Sequence, residues 1–138
     1  MRVLFDTNVI LDVIADREPF SDNAKKIVNL ILENKLEGFI TASSTTDIFY
    51  IARKYLDKDK LHAAMKSLFS LFGIIDILNT DCLRALDLPM NDYEDALLAV
   101  CCNKINADYI ITRDEEFINQ AGSSLKVVSP AKFLKDIL

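Results

Sequence analysis

The sequence predicts an α/β protein whose parallel sheet is covered on both faces by helices. Three observations carry that reading. Short, almost wholly apolar runs alternate along the chain with longer segments of helical period. Only 3 Gly and 3 Pro occur in 138 residues, too few for an all-β fold built on many tight turns. No linker-like, low-complexity or repeated stretch divides the chain, so residues 1–138 read as a single domain. Strands that are apolar on both sides must be buried on both faces, the condition of parallel strands between helical layers.

Each element follows from the local pattern. The first strand covers residues 3–5 (Val3, Leu4, Phe5). A helix runs over about 7–16 and ends before Pro19. Residues 22–34 are helical, with Ala24, Ile27, Val28 and Ile31 on one face. The second strand covers 38–41. Residues 44–56 carry the stripe Ile48, Ile51, Ala52 and Tyr55; residues 58–72 repeat it with Leu61, Ala64, Met65 and Leu68, and Gly73 ends that helix. The third strand covers 74–77. A short helix over about 80–87 stops before Pro89, and a longer one covers 93–104. The fourth strand is 108–112, a short helix is 115–120, and the fifth strand is 126–128. Ser129 as N-cap and Pro130 in first position open the last helix.

Composition excludes several chemistries. The chain is 51% hydrophobic and 27% charged, which fits a globular protein. A single histidine, His62, cannot build a multi-histidine zinc site. Cys82, Cys101 and Cys102 form no C-x-x-C pair and are odd in number, so they read as free thiols in a reducing compartment. Cys101 and Cys102 cannot share one helix face, and burial of at least one is expected. The N-terminal apolar run stops at Asp6, and the longest uncharged stretch, residues 67–75, is too short to span a bilayer. The expected location is cytoplasmic, away from any membrane.

The acidic residues are placed unevenly. Ligands of parallel α/β sheets bind outside the carboxyl ends of the strands. Asp6 ends the first strand and Asp114 follows the fourth. Asp47 and Asp95 fall in the first turns of the helices after residues 44 and 92. Asp92 lies three residues before Asp95, so the two share a helix face. One reading is structural: Asp6 and Asp114 as N-caps, with Ser44-x-x-Asp47 and Asp92-x-x-Asp95 as capping boxes. The other is a crevice of carboxylates that repel one another and take up protons unless cations intervene. Hard divalent ions such as Mg2+ or Mn2+ suit such oxygen ligands, and a pair of them can hold the attacking and leaving oxygens of a phosphodiester displacement.

The motifs in which these acids sit resemble the PIN-domain family, and within it the VapC-like toxin ribonucleases of type II toxin–antitoxin modules. Phe5-Asp6-Thr7-Asn8-Val9-Ile10-Leu11-Asp12 matches the first motif of that family. Thr45-Thr46-Asp47-Ile48 matches the second acidic position, Asn91-Asp92-Tyr93-Glu94-Asp95-Ala96-Leu97 the third, and Ile110-Ile111-Thr112-Arg113-Asp114-Glu115-Glu116-Phe117 the fourth. The resemblance implies a three-layer α/β/α sandwich with a five-stranded parallel sheet of order 3-2-1-4-5. It implies a Mg2+- or Mn2+-dependent endoribonuclease that leaves 5′-phosphate and 3′-hydroxyl ends. Asp6, Asp47, Asp95 and Asp114 would be its catalytic, metal-holding quartet, with Asn8 and Thr112 orienting carboxylates by hydrogen bonds. It also implies an antitoxin protein and a homodimer, on an apolar face left by the helices before residue 72, with the antitoxin sending a basic side chain into the acidic pocket. The second acid is commonly Glu in the family; here it is Asp47, one methylene shorter. Asp92 and Glu116 are further acids beside the motifs, in supporting positions.

The net charge of -5, from 16 basic and 21 acidic residues, taken alone disfavours nucleic acid. Without Asp6, Asp47, Asp92, Asp95, Asp114 and Glu116, 15 acids remain against the 16 basic residues, so the imbalance is the proposed site itself. Arg53, Lys54, Lys58, Lys60 and Lys66 form a basic stretch that reads first as a solvated helix face. Arg113, beside the crevice, suits an RNA phosphate, or else an ion pair with Glu115 or Glu116. His62 reads as a surface residue. Phe20, Phe49, Tyr50 and Tyr55 read as packing residues before base-stacking ones. Two other functions stay open: a PIN-like module that binds RNA or protein without cutting, and an aspartyl-phosphate phosphatase, which would want Asp where Asn8 stands.

Overall fold

The structure is a computed structural model that describes residues 1–138. Its strands are β1 (Arg2–Phe5), β2 (Glu37–Thr41), β3 (Gly73–Ile75), β4 (Tyr109–Ile111) and β5 (Val127–Val128). Its helices are α1 (Thr7–Ile14), α2 (Ser21–Leu32), α3 (Ser44–Ala52), α4 (Lys58–Leu71), α5 (Asn79–Asp87), α6 (Tyr93–Lys104), α7 (Glu115–Gln120) and α8 (Pro130–Ile137). The five strands form one parallel sheet in the order β3-β2-β1-β4-β5. The chain therefore builds the sheet outward from β1 to β3, then returns to the other side of β1. Strand order reverses beside β1, and a crevice opens there at the carboxyl edge.

Alternation along the strands splits the core in two. Val3 and Phe5 of β1, with Ile40 and Ile111, face the layer made by α1, α2, α3, α4 and α8. Leu4, Ile110 and Val127 face the layer containing α6 and α7. Helix α6 is covered on its outer side by α5, through Ala85 against Ala96, Leu97 and Val100. Residues 95–102 are consequently all buried. Both Cys101 and Cys102 lie inside, and burial pushes each thiol up to about 11, which leaves them as packing groups.

Several boundaries differ from the periodic pattern. Helix α3 ends at Ala52; residues 53–56 turn away, because Asp57 starts α4 by accepting from the Lys60 N–H at 2.9 Å. Gly73 opens β3 instead of closing α4, and is already paired in register with Phe39 of β2. Helices α1 and α2 each stop short of the expected ends at 16 and 34, at Ile14 and Leu32. Asp16 and Asn34, in the left-handed region at φ 50° and 59°, lie just beyond those ends. Ser44 is not an N-cap: the cap position is Ser43, itself helical, and the buried Ser44 hydroxyl is bound to Thr41 Oγ1 at 2.7 Å.

Gly38 marks the closest approach between β2 and its helical cover. A Cβ there would lie 2.5 Å from Ile31 Cδ1 and 2.9 Å from Phe72 Cε2. Gly38→Ala is expected to lower stability by about 1–3 kcal/mol through overpacking, read from the urea midpoint.

Candidate active site

Strands β1 and β4 are neighbours, with Phe5 opposite Ile111, so the residues that follow them emerge side by side. The Asp6 N–H donates to the Ile111 carbonyl at 2.9 Å, which extends the ladder by one rung. Thr112, fully buried, then links the two strand ends. Its oxygen accepts from Asn8 Nδ2 (3.3 Å) and from the Asp114 N–H (3.0 Å). Both lone pairs are occupied, so its proton goes to Asp6 Oδ2, at 2.8 Å. Asn8 completes the unit by accepting from the Arg113 N–H at 3.1 Å through Oδ1.

Three of the acids are also helix caps. Asp6 accepts from the Thr7 N–H (2.8 Å) ahead of α1. Asp114 accepts from the Glu116 (3.0 Å) and Phe117 (3.4 Å) N–H groups ahead of α7, and Asp92 accepts from the Asp95 N–H (3.1 Å) ahead of α6. The structural and functional readings of Asp6 and Asp114 are thus compatible: capping fixes the carboxylates at the carboxyl edge.

Electrostatics shows which acids share the crevice. Asp95 is buried in the first turn of α6, and its carboxyl is pushed up to about 7. Burial is the largest cause, followed by the charges of Asp92, Asp114, Asp6 and Glu94. Asp6 is raised by burial and by Asp114 and Asp92, against the lowering effect of its Thr112 and Thr7 hydrogen bonds. Glu94 is raised by burial and then by Asp47, Asp92 and Asp6. Asp6, Asp47 and Glu94 line one cavity of about 240 Å³ with Thr41, Ser43 and Ser44. Asp47 stands on its outer rim, exposed. Glu116 does not turn into the crevice; its carboxylate accepts from Gln120 Nε2 at 3.0 Å along α7.

Arg113 does not pair with Glu115 or Glu116. It reaches the other way to Asp12, which has 0% exposure, with Nε 2.6 Å from Oδ2 and Nη2 3.0 Å from Oδ1. Arg17 Nε also donates to Asp12 Oδ1, at 2.9 Å. The Arg113 guanidinium carbon sits 3.7 Å above the centre of the Phe20 ring. Asp12 and Glu94 both lie inside the quoted motifs but received no role from sequence. For Asp12 the available signal was an acid directly following the apolar run Val9, Ile10, Leu11. The remaining candidates lie elsewhere: His62 is exposed and edge-on to Phe49, and Arg53 lies over Tyr50.

The crevice presents carboxylate oxygens beside the hydroxyls of Thr41, Ser43 and Ser44, and neither Asp6 nor Asp95 forms a salt bridge. Such oxygens fit a hard divalent cation, whose charge would remove the repulsion that raises them. No three of these side chains are drawn tight enough to form a finished coordination shell. No helix is long and apolar enough to cross a membrane.

Comparison with known proteins agrees with the motifs. A family model described as PIN domain matches residues 2–116. The chain is 25% identical over 121 residues to ribonuclease VapC1 of Aquifex aeolicus, covering 84% of this chain and 83% of that protein. In structure it resembles VapBC2 from Rickettsia felis bound to a promoter DNA fragment, with TM-score 0.67 and 18% identity over 92% of this chain and 97% of that one. It also resembles VapC20 of Mycobacterium tuberculosis, described as a sarcin-ricin loop cleaving toxin, with TM-score 0.68 and 13% identity over 87% and 95% of the two chains.

Two outcomes follow from this geometry. A native Asp95 that keeps its proton to about pH 7 binds more protons than the unfolded chain, whose Asp titrates at about 4. Stability of the metal-free protein should therefore fall as pH rises between those values, and Asp95→Asn should reduce that fall in a Tm-against-pH series. Asp12→Ala would strand two guanidiniums, and should cost roughly 3–5 kcal/mol in urea denaturation.

Proposed function

The chain belongs to the PIN-domain family, and from that premise we propose that it is a divalent-metal-dependent endoribonuclease, the toxin half of a toxin–antitoxin pair. The observation that carries the reading is the convergence of Asp6, Asp95 and Asp114 on one edge of the sheet, with none of the three in a salt bridge. The ribonuclease and toxin names of the similar proteins support it.

In this reading Asp6, Asp95 and Asp114 hold Mg2+ or Mn2+, with Asp47 on the rim. The ion, when bound, supplies the Lewis acidity for phosphodiester hydrolysis. Thr112 directs its proton at Asp6 Oδ2 and so turns that carboxylate; Asn8 holds Thr112 in place. Asp92 fixes the first turn of α6 and with it Asp95. His62, exposed on α4 and edge-on to Phe49, is given no part in moving protons. An RNA strand would enter along the carboxyl edge, where buried Thr112 and the caps keep the carboxylates in fixed positions.

The partner in this reading is an antitoxin peptide. An apolar groove of about 210 Å³ between α1, α2 and α4, lined by Ile10, Val13, Val28, Leu68 and Phe72, suits one side of such a peptide. We also propose a homodimer. Leu83 and Leu86, exposed together on α5, support a self-contact on that helix over one on the helices before residue 72. A second reading, a PIN-like module that binds without cutting, draws on the short Asp47. The phosphatase reading loses support because the Asn8 amide is engaged on both ends.

Calorimetric titration of metal-free protein with Mn2+ tests the proposal. Asp6→Asn and Asp114→Asn should each weaken Mn2+ binding and abolish RNA cleavage. Because Asn also caps helices, stability should change by no more than about 1 kcal/mol. RNA binding by the wild type without turnover, and without Mn2+ uptake, would select the non-cutting module.

A further inference from the structure

We propose that the cavity on the far side of Arg113 receives one unstacked nucleobase of the RNA, adjacent to the phosphodiester at the carboxylates. The proposal rests on the ribonuclease reading above. The cavity, of about 670 Å³, opens between the start of α2, helix α7 and the start of α8, and Phe20, Asn23, Arg113, Glu115 and Asn119 line it. Arg113 and Glu115 are the chain neighbours of Asp114. The cavity is therefore adjacent in the chain to the carboxylate crevice, so in the ribonuclease reading a strand cut there would carry a neighbouring nucleotide within its reach.

The lining matches the chemistry of a base, which has a flat apolar face and a polar edge. Phe20 is 41% exposed, although its ring carries the Arg113 guanidinium at 3.7 Å. That guanidinium is fixed by two hydrogen bonds to the buried Asp12, so the stacked pair is a rigid platform before anything binds. Bases stack on aromatic and guanidinium planes of this kind. The Asn23 and Asn119 amides each present donors and an acceptor, as reading of a base edge requires. Two guanidiniums, Arg17 and Arg113, share the single carboxylate of Asp12. Glu115 on the cavity lining balances the charge left over, so the base would be held by stacking and hydrogen bonds, not by net charge.

The test uses full-length protein and two readouts. In the cleavage-inactive Asp6→Asn background, anisotropy of a fluorescein-labelled, mixed-sequence hexaribonucleotide gives affinity; adding Phe20→Ala should weaken it by about tenfold. In the active protein, sequencing the ends cut from a random RNA pool gives base preference. Asn23→Ala combined with Asn119→Ala, one half-buried and one exposed, should flatten that preference at one position beside the cut and leave the fold intact by circular dichroism. Unchanged affinity together with an unchanged cleavage pattern would place the base elsewhere and overturn the proposal, while leaving the ribonuclease reading intact. A wild-type chain that neither binds nor cuts RNA would overturn both.

Discussion

The fully buried carboxylate of Asp12 decides where positive charge goes at the carboxyl edge. Enclosing a charge costs several kcal/mol unless it is paired and hydrogen-bonded, and Asp12 meets that demand with the guanidiniums of Arg17 and Arg113. Arg113 is drawn toward α1 and away from Asp114, its neighbour in sequence. The carboxylates of Asp6, Asp95 and Asp114 are left without a cation from the chain. An arginine free to swing back would neutralise them.

The same edge shows how a fold of alternating strands and helices builds such a site from its own ends. Each helix that follows a strand starts at the carboxyl edge, where its first N–H groups lack partners. Asp6 and Asp114 satisfy those groups at α1 and α7, and Asp92 does the same for α6, which follows α5 and leads back into β4. The hydrogen bonds hold the carboxylates in fixed positions and partly compensate the repulsion between them. Thr112 adds direction: with both lone pairs filled, it has one place to send its proton. Packing, capping and electrostatics thus converge on the few residues after β1 and β4.

Much of this was legible in the sequence because it depends on local pattern. Apolar runs marked all five strands, and stripes such as Leu61, Met65 and Leu68 marked the helical faces that are buried. The strand order came from the family resemblance, since no periodicity encodes which strand lies beside which. Boundaries at Ala52 and Gly73 escaped because Asp57 and the register with Phe39 override the apolar stripe. The placement of Arg113 escaped for a related reason. Nearby Glu115 and Glu116 looked like its partners, yet successive residues after a strand point opposite ways, and its partner was 101 positions earlier. Ser44 looked like a cap, but Thr41 at the end of β2 claims its hydroxyl.

Helix α6 is enclosed over residues 95–102 by the sheet on one side and α5 on the other. Asp95 is thus mounted on an element with almost no freedom to repack, whereas Asp47 stands on the solvent-facing first turn of α3. The two acidic positions therefore differ in tolerance to substitution. Lengthening or shortening the side chain at 47 disturbs little but the crevice itself, while any change at 95 must be absorbed by a closed core. The shorter acid occurs on the rim, where the fold leaves room for the site to be retuned without being rebuilt.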